Sequence, residues 1–543
     1  MMLMAQALTC VIVLWDQGLL SNLPEQLLKD KVLVVLFQAL TRTLHTQNPG
    51  GSWGNPECRE TTAYAILTLG TLASLPFADA LRLYTESAIE EGRAYLSQAD
   101  DKLSRPDYLW VEKVTYGSNA LSQAYILASL KASPLTYKFG PNVEDLCNIP
   151  MKNVARFTKF YTQLPLFANT PEWQIQASLL EGYLFLPQLR RVRLDIFPRS
   201  DMEEDKYFEY IPFTWTGSNN LDGTFLGANF LYEMMIISFL NYQADEYMEA
   251  VVGTQFSHAL NEVKDLINRI FHEVETKDLG VRRQSHQEQN GDTKFTNGTG
   301  SLEANGNHIP YAETDIMTVY KTLKRFVEYV LNHPEVMTAS PHDQRRLRHE
   351  LKVFLLAHVD QIEDNSRFSQ QEISPSANTT FQTPRGSFFD WVRSTSSDHT
   401  SCPYAFAFVT CLFGHGRDFF RTTEEKYIAQ DLCRHLATMC RMYNDYGSLV
   451  RDRLEKNLNS VNFPEFGSAE EAGTDTALKD RLFRLADYER RCLDMALAEL
   501  RKAGRGDTVG IVKMFCNVTD TYGQIYVLKD IASRMVKDKE TDA

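Results

Sequence analysis

"TFLGANFLYEMMIISFLNYQADEYMEA", Thr224 to Ala250, sets a long apolar run directly before three acids, Asp245, Glu246 and Glu249. Phe230, Met234 and Ile237 recur at helical spacing, so the stretch reads as a buried helix rather than a strand. At its end Asp245 and Glu249 stand four residues apart on one face, with Glu246 beside them; like charges so placed cost about 0.2–0.5 kcal/mol per pair. The macrodipole also disfavours acids at a helix C-terminus. A bound divalent cation reverses both signs, and hard carboxylate oxygens suit Mg²⁺. A solvated acidic helix end would account for the same three acids, so a second element is needed.

The rest of the chain agrees with the helical reading. Long segments carry apolar residues at three- and four-residue spacing, and no train of short alternating strands appears, so the expected class is all-α. With 543 residues, 43% of them hydrophobic, the chain supports two or three globular units. A boundary is expected near "KASPLTYKFGPNVED", Lys131 to Asp145, giving regions 1–140 and 141–543. Asn290 to Asn307, Asp364 to Ser387 and Phe463 to Thr476 are polar and rich in Gly, Ser and Thr, and are expected to be mobile loops.

The formal charge of −14, with no Lys/Arg stripe, excludes a nucleic-acid binder. Nine scattered cysteines without a CxxC pair indicate neither a zinc site nor a disulfide scaffold, and a cytoplasmic, reducing location is expected. The apolar N-terminus lacks a basic flank and is interrupted by Asp16, so it reads as a core helix, and no stable membrane insertion is expected. Sequons at Asn297, Asn378 and Asn517 carry no weight in such a chain.

The second element is "RMYNDYGSLVRDRLE", Arg441 to Glu455. Asn444, Ser448 and Asp452 fall on one stripe of a helix and offer an amide oxygen, a hydroxyl and a carboxylate. Gly447 and Asn444 are poor helix formers, so propensity does not explain them. A polar surface face is the alternative, against which Met442, Tyr443, Leu449 and Val450 crowd the stripe.

DExxE after an apolar helix, followed far downstream by NDxxSxxxD, resembles the paired metal-binding motifs of class I terpene synthases. "YLWVEKVTYGSNALSQAYILASLKA", "FPRSDMEEDKYFEYIPFTWTGSNN" and "NDYGSLVRDRLEKNLNSVNFPEF" extend the likeness over nearly the whole chain, to the carboxy-terminal half of fungal bifunctional copalyl diphosphate/ent-kaurene-type diterpene synthases. The resemblance implies a class I α-domain bundle in which Asp245, Glu246, Glu249, Asn444, Ser448 and Asp452 hold three Mg²⁺ around a prenyl diphosphate. Asp452 stands where Glu is usual, one methylene shorter. Tyr242 and Ser238, below Asp245, would line the cation pocket; Trp215 and Phe213 are either pocket wall or core. Arg441 and Lys456 are candidates for gripping diphosphate oxygens, or else pair with acids on their own helix. Arg393 and Tyr522 are weaker candidates for the same task.

"LFQALTRTLHTQNPGGSWG", Leu36 to Gly54, places Gln47 and Trp53 where they can tie a helix end to a loop; it is similar to the Gln–Trp repeat of terpene-cyclase α-barrels, and an ordinary capped turn would look the same. The family's class II acid, a DxDD tetrad, is missing, the nearest stretch being "QADD" at Gln98 to Asp101. Residues 1–140 are therefore expected to be a partial α-barrel without protonation chemistry. The implied activity is Mg²⁺-dependent ionisation of a copalyl-type diphosphate, supplied by a separate class II cyclase, and cyclisation to a kaurene- or pimaradiene-type diterpene. Linear geranylgeranyl diphosphate as substrate, or a non-catalytic cyclase-derived partner protein, are the alternatives.

Overall fold

The three- and four-residue spacing is realised as helix over most of the described residues. The computed structural model describes residues 1–98, 109–111, 114–133, 137–193, 196–197, 207–284, 315–371, 378–467 and 474–528. Among them the only strands are β1 (Leu109–Val111) and β2 (Val114–Tyr116), one antiparallel hairpin, so the class is all-α. Two compact units divide the chain: unit 1 is Met1–Arg191 with Phe208–Met235, and unit 2 is Val192–Tyr207 with Ile236–Ala543.

Unit 1 contains α1 (Met2–Asp16), α2 (Leu33–His45), α3 (Arg59–Leu72), α4 (Arg82–Gln98), α5 (Asn119–Lys131), α6 (Met151–Tyr161), most of α7 (Glu172–Arg193) and most of α8 (Tyr207–Leu221). Helix α2 buries Leu36, Phe37 and Leu40 and packs on α3. The turn after α2 ties it to α4. The Trp53 indole N–H donates to the Thr43 carbonyl at 2.7 Å, and the Gln47 amide donates to the Ala88 carbonyl at 3.0 Å. Gly51 has φ +80° and lies so close to α4 that a Cβ there would stand 2.6 Å from the Glu91 carbonyl oxygen; only glycine meets both demands. Inside the unit, Glu181 accepts from Gln38 at 2.9 Å and Asn220 at 2.8 Å, while burial raises its carboxyl above the ordinary range.

Helix α1 buries Ala5, Thr9 and Ile12 and leaves Leu3 exposed, a helix with one core face. No described helix is long and apolar enough to cross a membrane. The boundary expected near residue 140 falls inside unit 1, where the Gly140 N–H donates to the Asp16 carboxylate at 2.8 Å. Gly140 and Pro141 there start the short helix Pro141–Leu146, which buries Val143 and Leu146. Asp100 and Asp101 of the "QADD" stretch lie outside the described residues.

Helix α9 (Ala228–Tyr247), the apolar run, begins in unit 1 and ends in unit 2. Unit 2 then adds α10 (Leu260–Gln284), α11 (Ile316–Leu331), α12 (Pro341–Ser369), α13 (Cys402–Gly414), α14 (Thr423–Glu455), α15 (Asp475–Ala503) and α16 (Gly506–Leu528). Helix α14 starts at a capping box, Thr422 with Glu425, and packs along α15 and α16. Gly447 of α14 and Gly523 of α16 explain how closely two of them approach. A Cβ on Gly447 would lie 2.2 Å from the Tyr526 carbonyl oxygen, and one on Gly523 would lie 2.6 Å from the Tyr443 ring. Gly447 is thus accounted for by packing.

Two of the expected mobile loops are largely ordered. Helix α12 runs on to Ser369, and Asp364 on its buried face accepts from Arg385 Nε at 2.8 Å and the Trp391 indole at 3.2 Å. Phe381, Phe463 and Phe466 are buried, and the Phe381 N–H donates to the Asn462 carbonyl at 2.6 Å. Polar composition here reflects side chains that pair with each other rather than with water. Residues 290–307, 372–377 and 468–473 lie outside the described residues.

Candidate active site

Asp245 sits in the last turn of α9, and two histidines from elsewhere in unit 2 converge on it. His358 comes from α12, four residues after Phe354 on the helix face that packs inward. Its Nδ1 donates to the Phe354 carbonyl at 2.8 Å, which turns Nε2 toward Asp245 Oδ1 at 3.1 Å. His399 follows the short helical turn Thr395–Asp398 and brings its Nε2 to 3.4 Å from the same oxygen. The two imidazoles lie 4.0 Å apart at 33°. One ligand atom from each of the three residues lies within 4.8 Å of the others.

The charges follow from this geometry. Burial pushes the Asp245 carboxyl up, but the hydrogen bond to His358 and the charges of His399, His358 and Arg441 outweigh it and hold the group at about 2. Burial and the neighbouring His358 press His399 well below the ordinary imidazole range. The site therefore presents an ionised carboxylate.

The other acids of the motif stand differently. Beyond Tyr247 the backbone widens into a π-helical segment, Met248–Val252, which carries Glu249. Single π turns recur at functional sites. Glu246 is half-buried and Glu249 exposed; neither joins the Asp245, His358, His399 group.

Asn444, Ser448 and Asp452 lie along one stripe of α14, which stays helical to Glu455. Ser448 Oγ donates to Asp452 Oδ2 at 2.6 Å, and the Asn459 amide donates to the same oxygen at 2.8 Å. Burial raises the Asp452 carboxyl to about 6, against the lowering effect of Arg451. Asp445, seven residues before Asp452, meets the same turn: its Oδ2 accepts from the Ser460 N–H at 3.0 Å and hydroxyl at 2.5 Å. That carboxylate pins the turn after α14, and its charge adds to the raising of Asp452.

Arg441 forms an ion pair with Asp445 at 2.9 Å and lies 5.9 Å from the Trp391 ring centre, yet its charge reaches Asp245. Lys456 does not continue the stripe: it ends α14 in a left-handed conformation, φ +59°, and is exposed. Arg393 pairs with Glu489 at 2.7 Å. Below Asp245, Tyr242 stacks on Tyr207 with ring centres 3.8 Å apart, meets Tyr526 hydroxyl to hydroxyl at 2.7 Å and packs edge-on against Tyr522 at 6.1 Å. Burial raises the Tyr242 phenol well above its usual range, so the cluster is neutral. Ser238, one turn before Tyr242, is buried. Trp215 is 2% exposed in unit 1, edge-on to Phe230, and Phe213 stacks on Tyr161 of that unit at 3.6 Å.

His358 and His399 escape sequence reading. The one local signal is His358, a titratable ring on the apolar face of α12, where Leu351, Phe354 and Leu355 are buried. Nothing in the spacing links either histidine to Asp245.

As to the chemistry of the donors, the stripe offers only oxygens, which fit Mg²⁺, while the Asp245 end offers one carboxylate oxygen and two imidazole nitrogens.

No protein-family model and no solved structure matches the chain. Among curated proteins it is 46% identical, over 97% of its length, to the pimaradiene synthase of Emericella nidulans, of which it covers 54%. It is 37% identical over 98% of its length to the ent-kaur-16-ene synthase of Fusarium fujikuroi, covering 55% of it. It is also 35% identical over 99% of its length to the phyllocladan-16-alpha-ol synthase of Phomopsis amygdali, covering 56%. The chain spans about half the length of the curated relatives it matches.

Proposed function

We propose that this chain, homologous over nearly its whole length to fungal diterpene synthases and consistent with their class I half, ionises a prenyl diphosphate and cyclises the resulting carbocation. The observation that carries the reading is electrostatic. An ionised carboxylate at the end of α9 lies within reach of the Arg441 charge on α14, one turn ahead of an oxygen-donor stripe.

In this reading Asp245, Glu246 and Glu249 face Asn444, Ser448 and Asp452 around the diphosphate, and these six residues hold three Mg²⁺. The bound cations would supply Lewis-acid neutralisation of the charge that develops on the leaving group, worth several kcal/mol. Asp452 then binds in its ionised form, which an adjacent cation favours over the raised value that burial alone imposes. The neutral Tyr207, Tyr242, Tyr522 and Tyr526 cluster presents ring faces to the cation without offering a base that would quench it early. Arg441, already paired with Asp445, contributes long-range positive charge, and Lys456 reaches the diphosphate only from the C-terminal cap of α14, beyond the stripe.

Residues 1–543 contain no DxDD tetrad, so the substrate assigned to the chain is a bicyclic, copalyl-type diphosphate supplied by a class II cyclase site outside these residues. Unit 1, with its Gln47–Trp53 tie, corresponds in this reading to α-barrel-like helices, and the product is of pimaradiene or kaurene type. To test it, the purified protein is incubated with Mg²⁺ and either geranylgeranyl diphosphate or each copalyl diphosphate stereoisomer, and hydrocarbons are sought by gas chromatography. Product from one copalyl isomer is expected; no product from any substrate overturns the reading.

A further inference from the structure

We infer that Asp245 Oδ1, His358 Nε2 and His399 Nε2 form a three-ligand site for one borderline divalent cation of the Mn²⁺, Co²⁺, Zn²⁺ class, chemically unlike the oxygen-only stripe on α14.

The spacing fits. Ligands about 2.0–2.2 Å from a common ion stand roughly 3.0–3.5 Å from one another in octahedral or tetrahedral geometry. The two nitrogens lie 3.1 Å and 3.4 Å from Asp245 Oδ1. The ring of His358 is fixed as metal-bound imidazoles are, by a bond from its other nitrogen: Nδ1 donates to the Phe354 carbonyl at 2.8 Å. That bond leaves Nε2 facing the Asp245 carboxylate oxygen, a position in which the two atoms share either a proton or a cation. His399 lies alongside, its ring tilted against that of His358 at 4.0 Å. Both histidine side chains are shielded, at 1% and 11% exposure, whereas Asp245 is 35% exposed. Coordination positions on the carboxylate side are thus open to water or to a substrate oxygen, as in metal sites that do chemistry. Two imidazole nitrogens shift preference away from Mg²⁺ and toward borderline ions.

The assignment shares Asp245 with the site proposed above and rests on that reading for its role in turnover, but its test uses no substrate, so the two can fail separately. Metal-free protein of residues 1–543 is titrated with Co²⁺ and its visible absorption recorded; the same protein with Mn²⁺ is examined by electron spin-echo modulation for ¹⁴N coupling. Expected are ¹⁴N coupling in the unaltered protein and a Co²⁺ affinity that falls about tenfold or more in His358→Gln and His399→Gln. His342→Gln, elsewhere on α12, should leave it unchanged. Absence of ¹⁴N coupling in the unaltered protein overturns the assignment whatever the variants do, and shows that the histidines only hydrogen-bond Asp245. Equal loss in His342→Gln also overturns it.

Discussion

Replacing Gly447 by Ala tests the packing account of α14 against helix propensity, because the two predict opposite signs. In an open helix, Gly to Ala stabilises by about 1 kcal/mol. At Gly447 the new Cβ would lie 2.2 Å from the Tyr526 carbonyl oxygen and 3.0 Å from its carbon. Ordinary carbon–oxygen contacts run about 3.3 Å, so the α16 backbone must withdraw by about 1 Å. Overpacking costs about 1–3 kcal/mol, and a backbone carbonyl cannot rotate away as a side chain can, so the upper part of that range applies. After the propensity gain, the net loss is about 1–2 kcal/mol. A shift of that size would also stretch the Tyr242–Tyr526 hydroxyl contact, now 2.7 Å, out of hydrogen-bond range. Gly510, on α16 with nothing within 4 Å of its would-be Cβ, is the internal control and should gain about 1 kcal/mol as Ala. Urea unfolding followed by circular dichroism at the helical band reads both. A Gly447→Ala protein as stable as, or more stable than, the parent would refute the close approach of α14 and α16.

Asp245→Ala should reduce product formation by more than about 100-fold while the helical circular dichroism is kept; retained turnover would remove Asp245 from the site. Glu273 is held at about 2 by hydrogen bonds from Lys324, Tyr320 and Arg269. Its folded value is thus below the ordinary one, so its stabilisation is present above about 4.5 and is lost as pH falls toward 2. In Glu273→Gln that stretch of the stability-against-pH curve should flatten, and an unchanged slope would count against the ion-pair cluster. Trp53→Phe keeps the ring and loses the indole bond to Thr43, and should cost unit 1 about 1 kcal/mol by denaturant unfolding; no change would mean the Gln47–Trp53 turn is not held as described.

Much of the site is legible because it is local. The apolar run and its terminal acids announce α9, and the stripe Asn444, Ser448, Asp452 is readable since α14 keeps one register through all three. What breaks register is not legible: the π segment that carries Glu249, and Lys456 turning left-handed where the helix ends. Gly447 looked like a functional oddity because its reason lies in a helix more than seventy residues downstream. His358 and His399 belong to the same kind of gap, since their meeting with Asp245 depends on how α12 and the turn before α13 are laid against α9. The polar segment around Asn378 reads as solvent-loving by composition, whereas the structure pairs its amides internally.

That last pairing bears on how the protein can be made. Asn378 is buried, donates from its side-chain nitrogen to the Val461 carbonyl at 2.9 Å and accepts from the Asn462 amide at 3.0 Å. The Asn462 side-chain oxygen in turn accepts from the Asn459 N–H at 2.7 Å, and the Asn459 amide reaches Asp452. The nitrogen that would carry a sugar in the Asn378 sequon is therefore already spent on the network that steadies the oxygen stripe. In a secretory expression host, a glycan attached there during synthesis would block that network from closing. Production in a cytosolic host, where no glycan is added at Asn378, preserves the ligand geometry on which any metal measurement with this protein depends.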